Sequence, residues 1–552
     1  MLFLLAPVFA LVAAPASGRK GIAATVHPLA TEAAVNAMKN GGNAVDGAVA
    51  AALTLGVVDG FNSGIGGGCF LLIQRADGSV IAIDGREKAP AAATRDMFAR
   101  EGQADTRLSQ TGALAVGVPG SLAAYDYAIR SFGRLPLRTH LLAAAKIAED
   151  GFRISRTYGQ RLASTAGELK QFEASRVIFL KSNGAPFGQG DLFRQADLAR
   201  SYREIAGQGI GWFYGGRFGE LTERWMKKNG GITTASDFKS YELKLREPLR
   251  TMYRGHEIIG FPPPSSGGVH VAQILNILEH FDLKKLGPGS ADFIHILTEA
   301  MKLAFADRAH WLGDPDFVPV PRGLVSREYA VSLAAKIDLK RATPVPRHGT
   351  PERAAEDTFG KHTTHFSTAD GEGTWVACTA TVNTTFGSKV VIPSTGIVMN
   401  NQMDDFSIQP GVANAFALVG AEANAVAPGK RPLSSMSPTI VRKDGKPILS
   451  VGAAGGPTII SQTLLAIVNT IDFGMPVDAA LARPRFHHQW QPDELRIEKA
   501  VPAAVRKELA RRGHKIKAIE TIGAAQAVGL AGDAKTLVAA PDPRGEGQAA
   551  GF

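Results

Sequence analysis

The chain has 552 residues and a formal net charge of +10, and its only cysteines are Cys69 and Cys378. This length allows several small domains or one large α/β body, and a hydrophobic share of 45% supports a large buried core. No Lys/Arg run of the kind that binds nucleic acid is present, so no nucleic-acid partner is predicted. Two cysteines exclude a four-cysteine metal site, and their apolar neighbours indicate that both pack as small hydrophobic residues.

The first sixteen residues form an apolar leader that ends in Ala14-Pro15-Ala16, a small-x-small cleavage pattern. The leader is too short to span a bilayer, and no other stretch resembles a membrane span. It lacks the positive residue usual at the start of a signal, and a buried N-terminal strand or helix is the alternative. We predict a signal peptide over 1–16 and a periplasmic or secreted protein.

Helical and strand patterns alternate after the leader, which predicts a mixed α/β protein. Helices are predicted over 29–40 and 45–55, the second apolar nearly all round and therefore buried. A hairpin of strands 70–74 and 80–84 follows. Residues 120–345 are predicted to be mostly helical, with an irregular interruption at the proline-rich segment 261–268.

The second half of the chain begins with a polar segment over 340–362 that contains several prolines, which indicates an exposed, mobile connector. Beyond it the pattern favours strands over 374–381 and 389–392 and a hairpin around the turn Lys443-Asp444-Gly445. The strands of this hairpin are predicted over 440–442 and 447–451, and a helix is predicted over 459–469.

Several familiar motifs are absent or incomplete. The glycine run at 64–69 ends in Cys69 and lies between a helix and a strand, the reverse of a dinucleotide-binding loop, so a tight turn or close backbone packing is predicted. His487 and His488 are adjacent on one strand and point to opposite faces, without an HExxH pattern. No GxSxG or Walker sequence is present. Neither a metal nor a cofactor is predicted.

A threonine pair, Thr363-Thr364, follows the connector and precedes a strand-like run. A threonine in such a place is ordinarily a hydrogen-bonded surface or core residue. It becomes a nucleophile if the chain is cut just before it, because its own α-amine then serves as the base.

The region 381–456 contains polar groups that together suit one chemistry. Asn383, Gln402 and Asp405 offer amide and carboxylate groups for an α-ammonium, and Ser434-Ser435 offer hydroxyls in an irregular segment. Glycines at 455 and 456 follow a strand, where consecutive backbone N–H groups can converge on an oxyanion. Arg86 can hold a carboxylate with two parallel hydrogen bonds. Each feature alone is more often turn or surface chemistry, but the set predicts a site for a zwitterionic amino-acid group.

These motifs resemble those of the γ-glutamyltranspeptidases, members of the N-terminal nucleophile hydrolase superfamily. The resemblance covers nearly the whole chain after the leader. It rests on the segments TTHFS at 363–367, NTTFG at 383–387, 400–407, 431–438, Gly455-Gly456, RFHHQW at 485–490, 262–268 and DGRE at 84–87.

The resemblance implies a four-layer αββα sandwich, an α/β fold, made as one proenzyme that cleaves itself between His362 and Thr363. The expected products are a large subunit (17–362) and a small catalytic subunit (363–552) that remain intertwined. The implied activity transfers the γ-glutamyl group of glutathione and related compounds to water, or to an amino acid or peptide.

The resemblance also assigns roles to single residues. Thr363 is the nucleophile and its free amine the base, and Thr381 orients it. The amides of Gly455 and Gly456 form the oxyanion hole. The substrate carboxylate is assigned to Arg86, Ser434 and Ser435, and its ammonium to Asn383, Gln402 and Asp405. Two residues depart from the family pattern: Cys69 replaces a glycine, and Phe416, in a lid-like loop over 410–421, replaces a tyrosine hydroxyl that helps close the loop.

Two alternatives stay open at this point. The first is an acylase acting on glutaryl-type side chains on the same scaffold, against which Asp405 argues because a substrate without an α-amine would leave this carboxylate unpaired. The second is a catalytically inactive homologue retained as a binding protein, against which the retained Thr363, Thr381 and glycine pair argue.

Overall fold

Strands from both halves of the chain build two large sheets in the computed structural model, which describes residues 14–351 and 367–552. In chain order the strands are β1 (Ala16–Gly18), β2 (Gly21–Thr25), β3 (Gly68–Gln74), β4 (Val80–Gly85), β5 (Ala99–Arg100), β6 (Gln103–Ala104), β7 (Phe152–Arg153), β8 (Leu192–Phe193), β9 (Lys244–Arg246), β10 (Leu249–Tyr253), β11 (His256–Gly260), β12 (Ser367–Asp370), β13 (Trp375–Thr381), β14 (Thr439–Lys443), β15 (Lys446–Ala454), β16 (Phe486–His487), β17 (Leu495–Glu498), β18 (Ile516–Ile519), β19 (Ala524–Leu530), β20 (Leu537–Pro541) and β21 (Gln548–Gly551).

The helices are α1 (Pro28–Lys39), α2 (Ala44–Val58), α3 (Thr106–Gln110), α4 (Ser121–Phe132), α5 (Leu137–Asp150), α6 (Arg156–Leu169), α7 (Glu173–Phe179), α8 (Ala196–Gln208), α9 (Gly211–Tyr214), α10 (Arg217–Lys228), α11 (Ala235–Lys239), α12 (Ser266–Leu278), α13 (Leu283–Leu286), α14 (Ala291–Trp311), α15 (Arg327–Ala334), α16 (Thr458–Ile471), α17 (Val477–Ala482) and α18 (Ala503–Arg511).

The two large sheets are antiparallel and face each other. The first has the order β1-β20-β19-β15-β14-β11-β10, and the second has the order β21-β2-β12-β13-β3-β4-β9. They contact each other mainly through β2, β12 and β13 on one side and β15, β19 and β20 on the other. The end of β13 and the end of β15 therefore lie near each other, and both carry predicted site residues.

Helices cover the outer face of each sheet. α1, α2 and α4 pack on the second sheet, and α12 and α16 pack on the first. α2 is buried along its whole length because the sheet covers one side and α5 covers the other. The order helix, sheet, sheet, helix confirms the predicted four-layer αββα sandwich.

Each sheet combines strands from both sides of the predicted cut. In the second sheet, Ser367 of β12 pairs with Ala24 of β2 on one side and with Ala377 of β13 on the other. In the first sheet, Ile259 of β11 pairs with Ile440 of β14. The chain before 352 and the chain after 366 consequently share one core, as the resemblance implies.

Most predicted elements are confirmed, but two are wrong. Residues 389–392 form only an isolated antiparallel bridge, between Val391 and Val398, rather than a strand. On the opposite edge the Lys389 C=O and the Val391 N–H bond to the Ser175 hydroxyl at 2.7 and 3.0 Å, so no second strand pairs there. The segment 261–268 is not wholly irregular, since α12 begins at Ser266, and the Ser265 hydroxyl caps it by accepting from the Gly267 N–H at 2.9 Å.

The connector has no helix or strand over 341–351, but it is held in place. The Ala342 and Thr343 N–H groups donate to the Arg512 C=O at 2.7 Å and to Glu299 at 2.8 Å. The Trp490 indole donates to the Val345 C=O at 2.7 Å. Mobility is therefore the wrong prediction for this part, while 352–362 lie outside the described residues.

The predicted leader lies mostly outside the description, which begins at Ala14. Ala16 starts β1 and pairs with Ala539 of β20. A cut after Ala16 stays a prediction. Within residues 14–351 and 367–552, the helices are all too short or too polar to cross a membrane.

Candidate active site

One cleft brings together the predicted site residues that the structure describes. It is lined by Arg86, Thr381, Asn383, Gln402, Asp405, Ser434, Ser435, Gly455 and Gly456. Its empty space is about 590 Å³ with the open mouth included. His362 and Thr363 lie outside the described residues.

Arg86 is buried and lies at one end of this cleft. Its Nε donates to the Pro432 C=O at 3.1 Å, and its Nη2 donates to Asp405 Oδ2 at 2.5 Å and to the Leu433 C=O at 3.2 Å. Its Nη1 has no hydrogen-bond partner within the described chain. Since a buried N–H without a partner costs free energy, this donor is available to a ligand oxygen.

Gln402 and Asp405 stand beside this guanidinium on one turn of 3₁₀ helix. Gln402 Nε2 donates to Asp405 Oδ2 at 2.6 Å, while Gln402 Oε1 is buried and accepts from no described group. Asn383 holds a left-handed backbone conformation (φ 80°) and donates through Nδ2 to the Asn401 C=O at 3.0 Å. The free amide oxygens and the carboxylate are acceptors that suit an ammonium group.

Ser434 and Ser435 are positioned by the chain around 265. The Ser434 N–H donates to the Pro264 C=O at 2.8 Å, and the Ser266 N–H donates to the Ser434 C=O at 2.7 Å. The Ser434 hydroxyl accepts from the Met436 N–H at 3.1 Å, and the Ser435 hydroxyl accepts from Arg308 Nη2 at 3.1 Å. Both hydroxyls are left with a proton to donate to a ligand.

Gly455 and Gly456 connect the end of β15 to the start of α16. Both have positive φ values, 133° and 57°, a conformation that glycine adopts without strain. Their N–H groups donate to no described acceptor, whereas their C=O groups accept from Thr458 and Ile459. Two free N–H groups at the N-terminus of a helix are suited to stabilise an oxyanion.

Thr381 ends β13, and its hydroxyl accepts from the Asn383 N–H at 2.7 Å. The glycine run at 64–68 packs directly behind it. A Cβ on Gly67 would lie 1.9 Å from the Thr381 C=O oxygen, and one on Gly66 would lie 2.0 Å from that of Val398. These distances confirm the prediction of close backbone packing.

We expect Gly67→Ala to destabilise the fold by several kcal/mol and to abolish activity, because the new methyl group overlaps backbone that cannot give way. Thermal unfolding and soluble yield measure the effect. Gly167→Ala is the matched control, since that helical glycine has open space around it and should tolerate the methyl group. Equal melting temperatures for the two variants would contradict this account.

Glu87 lies directly beneath the cleft, with Oε2 3.6 Å from Arg86 Nη1. Burial raises the pKa of Glu87 from 4.5 to about 8 despite the neighbouring guanidinium. The side chain is therefore mainly protonated at neutral pH, which leaves the charge of Arg86 available to a substrate.

This raised pKa predicts a pH dependence. Protonated Glu87 stabilises the fold fully below about pH 4.5, and the contribution is lost as the pH rises to about 8. Urea unfolding measures the free energy of unfolding at each pH. Between pH 5 and 8 this free energy should fall less for Glu87→Gln than for the wild type. For Glu328→Gln, a change at an exposed site, it should fall as it does for the wild type. The KM for a carboxylate substrate should also rise above pH 8 in the wild type only. The same dependence of the free energy of unfolding on pH in the wild type and Glu87→Gln would contradict the raised pKa of Glu87.

The loop over 410–421 covers part of the cleft. A Cβ on Gly456 would lie 2.6 Å from the Phe416 ring, so the ring rests against this glycine. The loop is held by the Ala415 N–H, which donates to Asp404 at 2.9 Å, and by Gln489 Nε2, which donates to the Ala417 C=O at 3.0 Å. Phe416 lies where a lid residue is predicted.

Other residues at the cleft carry no signal in the local sequence motifs. Asn62 and Thr379 line it, and Arg308 contacts Ser435 from behind. Thr379 could have been found by strand periodicity, because it lies two residues before Thr381 and shares its face. Asn62 and Arg308 come from distant parts of the chain, and no local spacing indicates them.

One group outside the cleft has the chemistry of metal ligands: His295, Glu299 and His514. Their nitrogen and oxygen atoms already have partners. His295 Nδ1 lies 2.7 Å from His514 Nε2, and Glu299 accepts from Lys302 at 2.8 Å and from the Thr343 N–H at 2.8 Å. The group is a satisfied hydrogen-bond network that anchors the connector.

Comparison with known proteins places the chain among relatives of similar length. The sequence profile described as Gamma-glutamyltranspeptidase matches residues 30–552. A glutathione hydrolase proenzyme of Escherichia coli (strain K12) is 46% identical over 533 residues, 96% of this chain and 91% of the relative. An acylase ACY 1 proenzyme of Pseudomonas sp. (strain SE83) is 39% identical over 91% of this chain and 88% of the relative.

A solved structure shows the same fold over the whole chain. The crystal structure of cephalosporin acylase from Bacillus halodurans has a TM-score of 0.89 at 29% identity and covers 100% of this chain and 99% of that one. The profile match and the relatives above 30% identity agree with the motifs in the cleft. The chain belongs to the gamma-glutamyltranspeptidase family.

Proposed function

We propose that this protein is a self-cleaving γ-glutamyltransferase and glutathione hydrolase. The observation that carries the proposal is the pair of unsatisfied buried atoms in the cleft, Arg86 Nη1 and Gln402 Oε1. One is a charged donor and the other a neutral acceptor, and the Asp405 carboxylate lies beside both. An α-amino acid group, with its carboxylate and ammonium, satisfies this set.

The maturation step requires Thr363. Its hydroxyl attacks the carbonyl carbon of His362, the peptide nitrogen leaves as the Thr363 amine, and the His362 acyl group becomes an ester. Water then hydrolyses this ester. The products are the large subunit (17–362) and the small subunit (363–552), which stay together because both contribute strands to both sheets.

The catalytic cycle uses the same hydroxyl. Thr363 Oγ attacks the γ-carbonyl carbon of glutathione, and its proton passes to the Thr363 α-amine, whose ordinary pKa near 8 suits a base at working pH. Thr381 orients the nucleophile. The oxyanion accepts from Gly455 and Gly456, each such donor being worth about 3 kcal/mol. The C–N bond then breaks, and the proton moves to the departing amine of cysteinylglycine.

Deacylation completes the reaction. Water attacks the γ-glutamyl ester to release glutamate, or an amino acid or dipeptide amine attacks to form a new amide. Throughout, Arg86, Ser434 and Ser435 hold the α-carboxylate, and Asn383, Gln402 and Asp405 hold the α-ammonium. We assign the protein to the periplasm or the exterior of the cell on the strength of its leader.

A glutaryl substrate, the alternative for an acylase, would meet the same cleft without an α-amine. Asp405 is not left unpaired in that case, since Oδ2 accepts from Arg86 and Gln402. The atom that disfavours a glutaryl substrate is instead Gln402 Oε1. A glutaryl group has no donor for this buried oxygen, so its binding would leave the oxygen unsatisfied.

Substrate preference decides between the two activities. The purified protein is assayed with L-γ-glutamyl-p-nitroanilide and with glutaryl-p-nitroanilide, which differ only in the α-amine. We expect kcat/KM for the γ-glutamyl compound to be larger by at least about 100-fold. Preference for the glutaryl compound would favour the acylase, and an uncut chain without either activity would favour an inactive homologue.

A further inference from the structure

Arg308 is a buried guanidinium close to the cleft, on the last turn of α14, and its residue is 6% exposed. Its Nε donates to the Ser266 hydroxyl at 3.0 Å, and its Nη2 donates to the Ser435 hydroxyl at 3.1 Å. The Ser266 hydroxyl in turn donates to the Ser434 C=O at 2.7 Å. A single side chain thus fixes both serines, one directly and one through Ser266.

The charge of Arg308 has no counterion in contact. Within residues 14–351 and 367–552, no acidic oxygen lies within ion-pair distance of its guanidinium. Asp405 is the acidic group whose charge acts on it, but that carboxylate already accepts from Arg86. Burial lowers the pKa of Arg308 to about 10, which still leaves it protonated at neutral pH.

The charges around the two serines do not balance without a ligand. Arg86 and Arg308 contribute two positive charges, and Asp405 contributes one negative charge. Glu87 is mainly protonated at neutral pH. A buried positive charge without a partner is costly, so this end of the cleft is built to receive one anionic group.

We propose that Arg308 is a positioning residue for the substrate carboxylate. Its Nη2 donates to the Ser435 hydroxyl oxygen, so the hydroxyl proton points away from Arg308 and towards the cleft. Donation from a cation also makes this hydroxyl a stronger donor to the carboxylate. Arg308 therefore selects for a charged carboxylate over a neutral group of the same shape. This inference rests on the proposed γ-glutamyl specificity of the same cleft.

The test compares two substrates that differ only in charge at this position. L-γ-Glutamyl-p-nitroanilide has the α-carboxylate, and its α-carboxamide analogue has a neutral amide there. In Arg308→Met we expect KM for the carboxylate substrate to rise by about 30-fold or more with a smaller change in kcat. We expect kcat/KM for the carboxamide to change by less than about 3-fold. Arg308→Lys should recover part of the preference because it restores the charge.

A matched control separates this role from a general loss of charge or fold. Arg130→Met makes the same change at an exposed arginine of α4 and should leave both substrates unaffected. Each variant is checked for cleavage into two chains and for its melting temperature. If kcat/KM falls equally for both substrates in a cleaved, folded Arg308→Met protein, the proposal is overturned and Arg308 has a purely structural role.

A binding measurement distinguishes failure of this inference from failure of the proposed function. Calorimetry compares L-glutamate with L-isoglutamine, its α-carboxamide, on wild type, Arg308→Met and Arg308→Lys. A wild type without γ-glutamyl turnover would reject the proposed function, and selective loss of glutamate binding in Arg308→Met would still support the role of Arg308. Unchanged glutamate binding in Arg308→Met overturns that role whatever the turnover. If Arg308→Met does not fold, Arg308→Gln, which also removes the charge, provides the same contrast.

Discussion

Thr363→Ala is expected to give one uncut chain on denaturing electrophoresis and a loss of γ-glutamyl turnover of at least about 1,000-fold. Alanine has no hydroxyl to attack the preceding carbonyl, so neither the cut nor the acyl-enzyme can form. The fold should survive, because the two large sheets are built from strands outside 352–366. Circular dichroism and the melting temperature check this point.

The adjacent threonine provides the control for this prediction. Thr364→Ala makes the identical change one residue later and is expected to leave a chain that still splits in two. N-terminal sequencing of the small fragment should begin at Thr363 in the wild type. Splitting of Thr363→Ala, or a fragment that begins elsewhere, would show that the nucleophile is misassigned.

Asp405→Asn is expected to lower kcat/KM for γ-glutamyl-p-nitroanilide by about 100- to 1,000-fold, which corresponds to about 3–4 kcal/mol. The change removes the counterion of Arg86, whose Nη2 lies 2.5 Å from Oδ2, and it removes the charge that faces the substrate ammonium. The substrate ammonium is then left without a facing negative charge, and Arg86 loses its charged acceptor in the protein, which is why the effect is large.

Substrates without the ammonium test this reason directly. For glutaryl-p-nitroanilide the loss of kcat/KM should be smaller, since that substrate has no ammonium to hold. The ratio of kcat/KM for the γ-glutamyl compound to that for the glutaryl compound should therefore fall. Asp444→Asn is the control, because it makes the same change in the exposed β14–β15 turn. An unchanged substrate ratio in Asp405→Asn would show that this carboxylate does not contact the ammonium.

The local pattern of apolar, polar and turn residues predicted much of the fold. The alternation of helix and strand signals indicated an α/β protein, and α2 was recognisable as buried because its residues are apolar on every side. The hairpin around Asp444 and Gly445 followed from turn chemistry. Such features depend on residues close together in sequence, so they can be read without knowing the tertiary contacts.

The errors occurred where a distant group completes the backbone hydrogen bonds. Residues 389–392 have strand-like composition, but they form only one bridge, to Val398, and on the opposite edge the Ser175 side chain, far away in sequence, takes the bonds that a second strand would use. The connector over 341–351 has linker composition, yet α14 and the chain around 490 and 512 provide its partners. The periodicity of the local sequence does not indicate such contacts.

The amino-acid sequence by itself determined the chemistry: which hydroxyls, amides, carboxylate and guanidinium are available, and in which motifs they occur. Only the tertiary structure decided which of their atoms remain free. It shows that Arg86 Nη1 and Gln402 Oε1 lack partners, that Asp405 is already paired, and that Arg308 supports Ser435. The physical reason is that hydrogen-bond satisfaction and charge balance are set by groups that folding brings together from distant parts of the chain.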